Sequence, residues 1–255
     1  MTLVTKPAGS AHRSFRQRLK GKTVILNALA ELFASMIFSL LYFIFISRYL
    51  DASFATDYVM LSFSIGLAFF AAIYIPFHTY RIHIIPFITF FVALRKQNFS
   101  LLLHKIPAQM LGTILGVSVF NAINSQTKNI AIENLQMMSQ LDPGLLIFIN
   151  ALVAALLCYG FYTIRVLFKA KQLSGTINLS LFYVVLFATT SYFSSVSSLN
   201  PFGYLFYDLL GGQTIRTTDF LFLFLNHFAA PLISVVLLYF YVRPKPIPYK
   251  KQLQE

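Results

Sequence analysis

The chain has 255 residues, of which 57% are hydrophobic, 16% aromatic and only 11% charged. Soluble domains carry about 25% charged residues, so this composition excludes a soluble domain and indicates a membrane protein with several spans. The formal net charge is +12, but the basic residues cluster before the first apolar run and after the last one. That distribution is typical of topology determinants and not of a nucleic-acid surface. We therefore expect the lipid bilayer as a partner and no nucleic acid.

Six long apolar runs follow one another along the chain and predict six membrane spans. A spanning helix needs about 20 apolar residues, and the six runs reach or approach this length. In chain order they are Val24–Ile46, Tyr58–Phe77, Leu101–Ile123, Gly144–Phe168, Ile177–Phe193 and Asp219–Val242.

Two shorter apolar runs, 86–94 and 201–209, each begin at a proline and are too short to cross a bilayer. Both runs share the pattern Pro-Phe-x-x-[Phe/Leu]-Phe. Proline suits the first position of a helix, and Asn200 can cap the second run. Short proline-led segments at matching places in two halves are typical of an inverted-repeat membrane protein with its pathway at the midplane. We therefore predict two re-entrant half-helices.

The positions of the charges predict the topology. If the spans alternate across the membrane, one side receives both termini and the basic residues Arg95, Lys96, Lys105, Arg165, Lys169 and Lys171. The other side receives most acidic residues and only Arg48, Lys128 and Arg216. Because cytoplasmic loops carry an excess of Lys and Arg, both termini are predicted to be cytoplasmic. The chain then divides into a basic tail 1–22, a first repeat 23–123, an extracytoplasmic connector 124–142, a second repeat 143–243 and a tail 244–255.

The first repeat contains a series of small and polar motifs at regular spacing. In order they are Gly66-Leu67-Ala68, His78, His83, Pro86 and Thr89, and then Ala108-Gln109 with Gly112 and Gly116 in the third span. Ala108, Gly112 and Gly116 recur every four residues and therefore lie on one helix face. Small side chains on such a face predict the close approach of another helix.

The second repeat contains Ser198-Leu199-Asn200-Pro201 and Ala230-Pro231-Leu232-Ile233. Together, the order and spacing of these motifs resemble the aquaporin and glycerol-facilitator family over nearly the whole chain after residue 22. The resemblance implies an all-α membrane protein with six transmembrane helices and two re-entrant half-helices in an inverted 3+3 repeat. It also implies a homotetramer in the plasma or inner membrane, with a pore in each protomer and no enzymatic activity.

The same resemblance implies structural roles for several polar residues. Glu31 stands where the family keeps a buried Glu, which accepts hydrogen bonds from N–H groups of the re-entrant loop. Asn150 takes the place of the corresponding Glu in the second repeat. The residues expected to brace the first loop are His78, His83 and Gln109. No Glu or Cys accompanies the two histidines, and Cys158 is the only cysteine, so we expect neither a metal nor a cofactor.

The chain departs from the family pattern at both half-helix tips. Ile85 replaces the first Asn before Pro86, while Asn200 and Pro201 keep the second Asn-Pro. Phe87 and Phe202 replace the small residue after each proline. The four residues projected onto the family's outer constriction are Ile65, Ala188, Ser197 and Gly203, and none of them is aromatic or charged.

These departures have opposite consequences for transport, and the sequence leaves both open. An outer constriction without Arg and aromatic residues is expected to be wide and apolar, which favours larger neutral solutes such as glycerol or a dissolved gas over water alone. Two phenylalanines at the centre favour a narrowed pore that closes by drying. We therefore expect a passive aquaporin-like channel, with a sealed, non-conducting scaffold or partner subunit as the alternative. An ion-coupled transporter is disfavoured, because Glu31 is the only acidic residue well within a span.

Overall fold

The structure is a computed structural model that describes residues 9–51, 58–76, 82–127, 142–164, 172–194, 202–203, 206, 221–222 and 224–242. Within these residues the chain forms helices and short connecting segments and no strand. The prediction of an all-α protein is therefore confirmed. Of the predicted site residues, His78, Ser197, Asn200 and Pro201 lie outside the described residues, as does most of the second half-helix 201–209.

Seven α-helices and one π-helical turn are defined in the described residues. They are α1 (Gly9–Asp51), α2 (Tyr58–Tyr74), α3 (Pro86–Lys96), α4 (Ser100–Thr127), α5 (Pro143–Tyr162), α6 (Gln172–Ser194), the π-helical turn Leu225–Ala229 and, directly after it, α7 (Ala230–Tyr241). Four segments are long and apolar enough to cross a membrane, namely Val24–Ser47, Ser100–Asn124, Pro143–Tyr162 and Leu173–Thr190. Val59–Tyr74 and Leu225–Tyr241 are shorter apolar helices. The chain is a multi-pass membrane protein.

The helix ends differ from the predicted ends for local reasons. The first helix begins at Gly9, inside the segment predicted as a tail. Helix α2 ends at Tyr74 and not at Phe77, because the residue before Pro76 is disfavoured in a helix. Helix α5 is assigned to Tyr162, and the predicted end of this span at Phe168 lies outside the described residues.

The short helix α3 has a well-defined end. Gln97 adopts the left-handed conformation with φ 49°, and its N–H donates to the carbonyl of Leu94. The N–H of Asn98 donates to the carbonyl of Ala93 at 3.0 Å. Together these bonds close the helix by reversing the chain, as left-handed C-caps do. The chain then returns at once into α4, which begins at Ser100.

The two halves of the chain pack in the same way. In the first half α1 contacts both α2 and α4, and in the second half α5 contacts both α6 and α7. Helices α2 and α6 join the halves to each other, and α3 contacts α4, α5 and α7. The short helix α3 therefore lies between the halves, which is where repeat membrane proteins place their sites.

Glycines allow α1 and α4 to touch through their backbones. A Cβ atom on Gly112 would lie 2.2 Å from the carbonyl oxygen of Leu32, and one on Gly116 would lie 2.5 Å from that of Met36. These separations are far below van der Waals contact, so neither position has room for a side chain. The predicted close approach of a helix to this small-residue face of α4 is confirmed.

Candidate functional site

The segment that leads into α3 has an unusual backbone conformation. Ile84 has φ 63°, a left-handed conformation that is costly for a β-branched residue. The N–H of Ile85 donates to the carbonyl of His83 at 2.7 Å, and Pro86 occupies the start of the helix. Ile85 is the N-cap and has no side-chain oxygen with which to cap. Strain of this kind persists only where the surrounding structure holds it.

The carboxylate of Glu31 holds this strained segment. Its Oε1 accepts a hydrogen bond from the N–H of His83 at 2.8 Å, and its Oε2 accepts one from the N–H of Ile84 at 3.0 Å. Oε1 also binds the ammonium of Lys105, and Oε2 accepts from Nε2 of Gln109 at 3.0 Å. Glu31 is completely buried. One side chain of α1 therefore ties the re-entrant loop to α4.

The polar network continues into the first turn of α3. Nε2 of Gln109 also donates to the hydroxyl of Thr89 at 2.9 Å, and Nδ1 of His83 lies 3.1 Å from the same hydroxyl. The imidazole of His83 packs edge-on against the ring of Phe161, with centroids 5.5 Å apart. The three predicted residues Glu31, His83 and Gln109 thus meet around the base of α3.

Lys105 is a member of this network that the sequence analysis did not anticipate. Its side chain is only 4% exposed and its ammonium contacts Glu31, so it is not a solvated charge at the membrane surface. A buried carboxylate is costly unless it is paired and hydrogen-bonded. Lys105 forms the ion pair with this carboxylate, so the charges of Glu31 and Lys105 cancel.

In the second repeat, polar side chains meet around Asn150. Nδ2 of Asn150, on α5, donates to Oδ1 of Asn226 at 2.7 Å. Asn226 lies in the π-helical turn, where its Nδ2 is 3.5 Å from Nε2 of His227. Irregular turns of this type are frequent at functional sites. Asn150 therefore joins α5 to the segment before α7. Its partner Asn226 is, after Lys105, a second residue that the sequence analysis did not anticipate.

The residues predicted at the half-helix tips and outer constriction are largely buried. Ile85 and Ile65 are completely buried, Phe87 is 6% exposed and Phe202 is 7% exposed. The ring of Phe202 packs against two other rings, with centroids 6.1 Å from Phe206 and 5.9 Å from Phe228. Gly203 and Pro86 are buried, and Ala188 is half-buried.

Arg95 connects the end of α3 to the second half of the chain. Its guanidinium donates to the carbonyl of Val242 at 2.6 Å and to the hydroxyl of Tyr162 at 2.8 Å. It also lies 4.6 Å from the centroid of the Tyr162 ring. A planar fork with several donors can make all these contacts at once, whereas an ammonium cannot. Arg95 thus fastens α3 to the ends of α5 and α7.

We expect Arg95→Ala to lower the free energy of unfolding by about 2–3 kcal/mol. The variant loses two hydrogen bonds of a charged group, each worth up to about 1.5–3 kcal/mol, and solvent screens part of this because Arg95 is only partly buried. Arg95→Lys should recover only part of this loss, since it keeps the charge but not the fork. Thermal unfolding of the purified protein in detergent measures both. Lys96→Ala is the matched control, because Lys96 is the adjacent basic residue and is exposed. Equal losses of stability for Arg95→Ala and Lys96→Ala would contradict the role of Arg95 in fastening α3 to α5 and α7.

Comparison with known proteins identifies the fold. No protein-family model and no curated protein sequence matches the chain. Among solved structures, the X-ray structure of the aquaglyceroporin from Plasmodium falciparum is similar, with a TM-score of 0.70 and 15% sequence identity. The match covers 86% of this chain and 96% of that chain. At this identity the similarity shows the fold, so the chain has an aquaporin-like helical membrane fold.

Proposed function

We propose that the chain is a passive membrane channel for water and small neutral solutes such as glycerol. The observation that carries the proposal is the placement of α3. A short helix that begins at the buried Pro86 is held by Glu31 at the junction of two similarly packed halves. Downhill transport through such a pathway needs no cofactor and no energy coupling.

The electrostatics of this site favour neutral solutes. The N-terminal end of a helix carries a partial positive charge, which repels cations and protons at a channel midplane. The carboxylate of Glu31 lies next to the N-terminal end of α3 and would offset that charge if it were alone. Because Lys105 pairs with it, the repulsion is retained. The described tip residues Ile85, Phe87 and Phe202 add no charged group.

The finer features of the proposal follow the charge distribution and the family resemblance. We place both termini in the cytoplasm, because the basic residues concentrate at the two ends of the chain. We place the protein in the plasma or inner membrane as a homotetramer, with one pathway in each protomer. Chemical cross-linking in the membrane would test the tetramer, and protease accessibility in oriented vesicles would test the termini.

A sealed, non-conducting protein that acts as a scaffold or partner subunit is the second candidate. The observation that favours it is the burial of the tip residues, since Ile85 is 0%, Phe87 6% and Phe202 7% exposed. Bulky apolar side chains at the centre of a pathway exclude water, and such constrictions close by drying.

Stopped-flow light scattering on proteoliposomes, with water and glycerol gradients run in parallel, distinguishes the two candidates. We expect wild-type vesicles to equilibrate glycerol faster than protein-free vesicles. We expect Phe87→Ala/Phe202→Ala to conduct at least as fast, because it removes two rings from the half-helix tips. The matched control is Phe63→Ala/Phe148→Ala, in which the two deleted rings are 49% and 63% exposed.

The pattern of fluxes assigns the function. Flux in the wild type supports a channel, and the ratio of water to glycerol flux reports its selectivity. If only Phe87→Ala/Phe202→Ala conducts, the two rings seal an intact pathway and the scaffold takes precedence. Proteoliposomes in which neither protein conducts would count against the channel.

A further inference from the structure

The buried face of α6 consists of residues that the family motifs did not single out. Residues at helical spacing along α6 are all completely buried, namely Thr176, Leu179, Tyr183, Phe187 and Thr190. Ala188, which the family resemblance projects into the outer constriction, is half-buried. The interior side of α6 therefore presents the aromatic residues Tyr183 and Phe187.

Three aromatic rings from three different helices meet beside this face. The ring of Phe69, on α2, stacks on that of Tyr183 with centroids 4.3 Å apart and planes 6° apart. The ring of Phe38, on α1, meets both edge-on, with centroids 5.7 Å from Phe69 and 6.0 Å from Tyr183. Each of the three residues is at most 1% exposed. We call Phe38, Phe69 and Tyr183 the three-ring cluster.

The three-ring cluster lies at the junction of the two halves of the chain. Phe38 and Phe69 belong to the first half and Tyr183 to the second, and in two-repeat membrane proteins the pathway follows this junction. On α2, Phe69 follows Ile65 by four residues and is therefore on the same face, one turn further along. Ile65 is the α2 residue assigned above to the outer constriction. The cluster thus lies one turn away from that constriction, in the direction in which α2 runs.

The helices that carry two of the rings are fixed in position beside them. A Cβ atom on Gly66 would lie 2.1 Å from Cγ2 of Val184, so α2 and α6 are in close contact next to Phe69 and Tyr183. Separation of these helices would open the cluster only by breaking this contact. Rotation of the rings about their side-chain bonds leaves this contact between the helices intact.

We infer that the three-ring cluster is the closed gate of the channel. This inference rests on the function proposed above and assigns its regulation to Phe38, Phe69 and Tyr183. Three mutually packed rings leave no space for water, so the closed gate is dry. The gate opens when the rings of Phe69 and Tyr183 rotate apart, and it admits neutral solutes because a dry constriction is most costly for ions.

The test compares solute flux through gate variants with flux through the wild type. Phe69→Leu and Tyr183→Leu replace a ring with a shorter apolar side chain and keep the site hydrophobic. We expect each to raise glycerol flux about tenfold, the change produced by a barrier lowered by roughly 1.4 kcal/mol. Tyr183→Phe keeps the ring and should conduct like the wild type. Size-exclusion chromatography and thermal unfolding confirm that each variant is folded.

Phe120→Leu is the matched control for the loss of a buried ring. Phe120 is 2% exposed and packs against Phe43, on α1, with centroids 5.7 Å apart, in the contact between α1 and α4. We expect this variant to lose stability without gaining flux. A gain equal to that of Phe69→Leu would overturn the gate, because any loosening of the core would then have the same effect.

Two further outcomes separate failure of the gate from failure of the channel. If the wild type conducts and the folded gate variants conduct at the same rate, the gate is overturned and the channel stands. If neither the wild type, nor the gate variants, nor Phe87→Ala/Phe202→Ala conduct, the channel is overturned and the gate with it.

Discussion

Replacement of Glu31 by Gln should lower the free energy of unfolding by about 3–5 kcal/mol, the usual cost of breaking a buried ion pair by removing one partner. The variant deprives the buried ammonium of Lys105 of its carboxylate, and it weakens the hydrogen bonds to the N–H groups of His83 and Ile84. Lys105→Met should cost a similar amount, because it leaves the carboxylate without its cation. Thermal unfolding in detergent measures both losses.

The double variant Glu31→Gln/Lys105→Met separates the ion pair from the hydrogen bonds. It has no buried charge at this site, and the amide oxygen of Gln can still accept from the loop. We therefore expect it to be more stable than either single variant, with a coupling energy of about 1–3 kcal/mol. Lys96→Met serves as the control for loss of an exposed lysine. Losses that simply add in the double variant would show that Glu31 and Lys105 do not act as a pair.

A side chain at Gly112 should be the most damaging single substitution in the contact between α1 and α4. Because a Cβ atom there would lie 2.2 Å from the carbonyl oxygen of Leu32, the backbone of α1 must move away. Overpacking of this kind costs about 1–3 kcal/mol. Gly112→Val should lower the free energy of unfolding more than Gly112→Ala does, because the two further methyl groups of valine must also be accommodated.

A side chain at Gly112 should also destabilise the re-entrant loop. Leu32 is adjacent to Glu31, and Gly112 follows Gln109 on α4, so a wider gap between the helices stretches the contact of Glu31 with Gln109. Hydrogen exchange of the amides of His83 and Ile84 should therefore become faster in Gly112→Val. Gly144→Ala is the control, because its Cβ meets only the side chain of Asp142, at 3.0 Å. Unchanged exchange at both amides would contradict this coupling.

Helix identity followed directly from the sequence, whereas helix ends did not. Apolar runs and Pro86 were enough to locate α3 and the apolar helices of the described residues, because the bilayer demands long apolar segments and proline begins helices. The ends depended on local chemistry that a run of apolar residues does not show. Pro76 stops α2 early, and Gln97 ends α3 in a left-handed conformation.

Partners distant in the sequence were the least predictable part of the site. Lys105 resembles an interfacial charge because Arg95 and Lys96 precede it, and nothing local indicates that it meets Glu31. One signal was present, since Lys105 lies four residues before Gln109 and thus shares its helix face. Arg95 offered no comparable signal, because its partner Val242 is 147 residues away.

The aromatic residues of α6 show the limit of alignment by motif. The family resemblance projected Ala188 into the constriction and gave no role to its neighbour Phe187, which is completely buried. Successive residues of a helix point about 100° apart, so a motif that places one residue says nothing about the packing of the next. Periodic burial along α6 depends on the packing of α1 and α2 against it, and this packing is a property of the folded chain.

The pairing of Glu31 with Lys105 has a consequence for biogenesis. The two residues are 74 positions apart, so a ribosome delivers the carboxylate to the membrane well before the ammonium exists. A charged side chain opposes the insertion of a single helix by up to about 3 kcal/mol, the value at the helix centre, and Glu31 is the eighth residue of the span Val24–Ser47. Insertion of the first span is therefore less favourable until the third span, which carries Lys105, lies beside it. Insertion of the first repeat becomes a cooperative event, in which a later helix completes the integration of an earlier one.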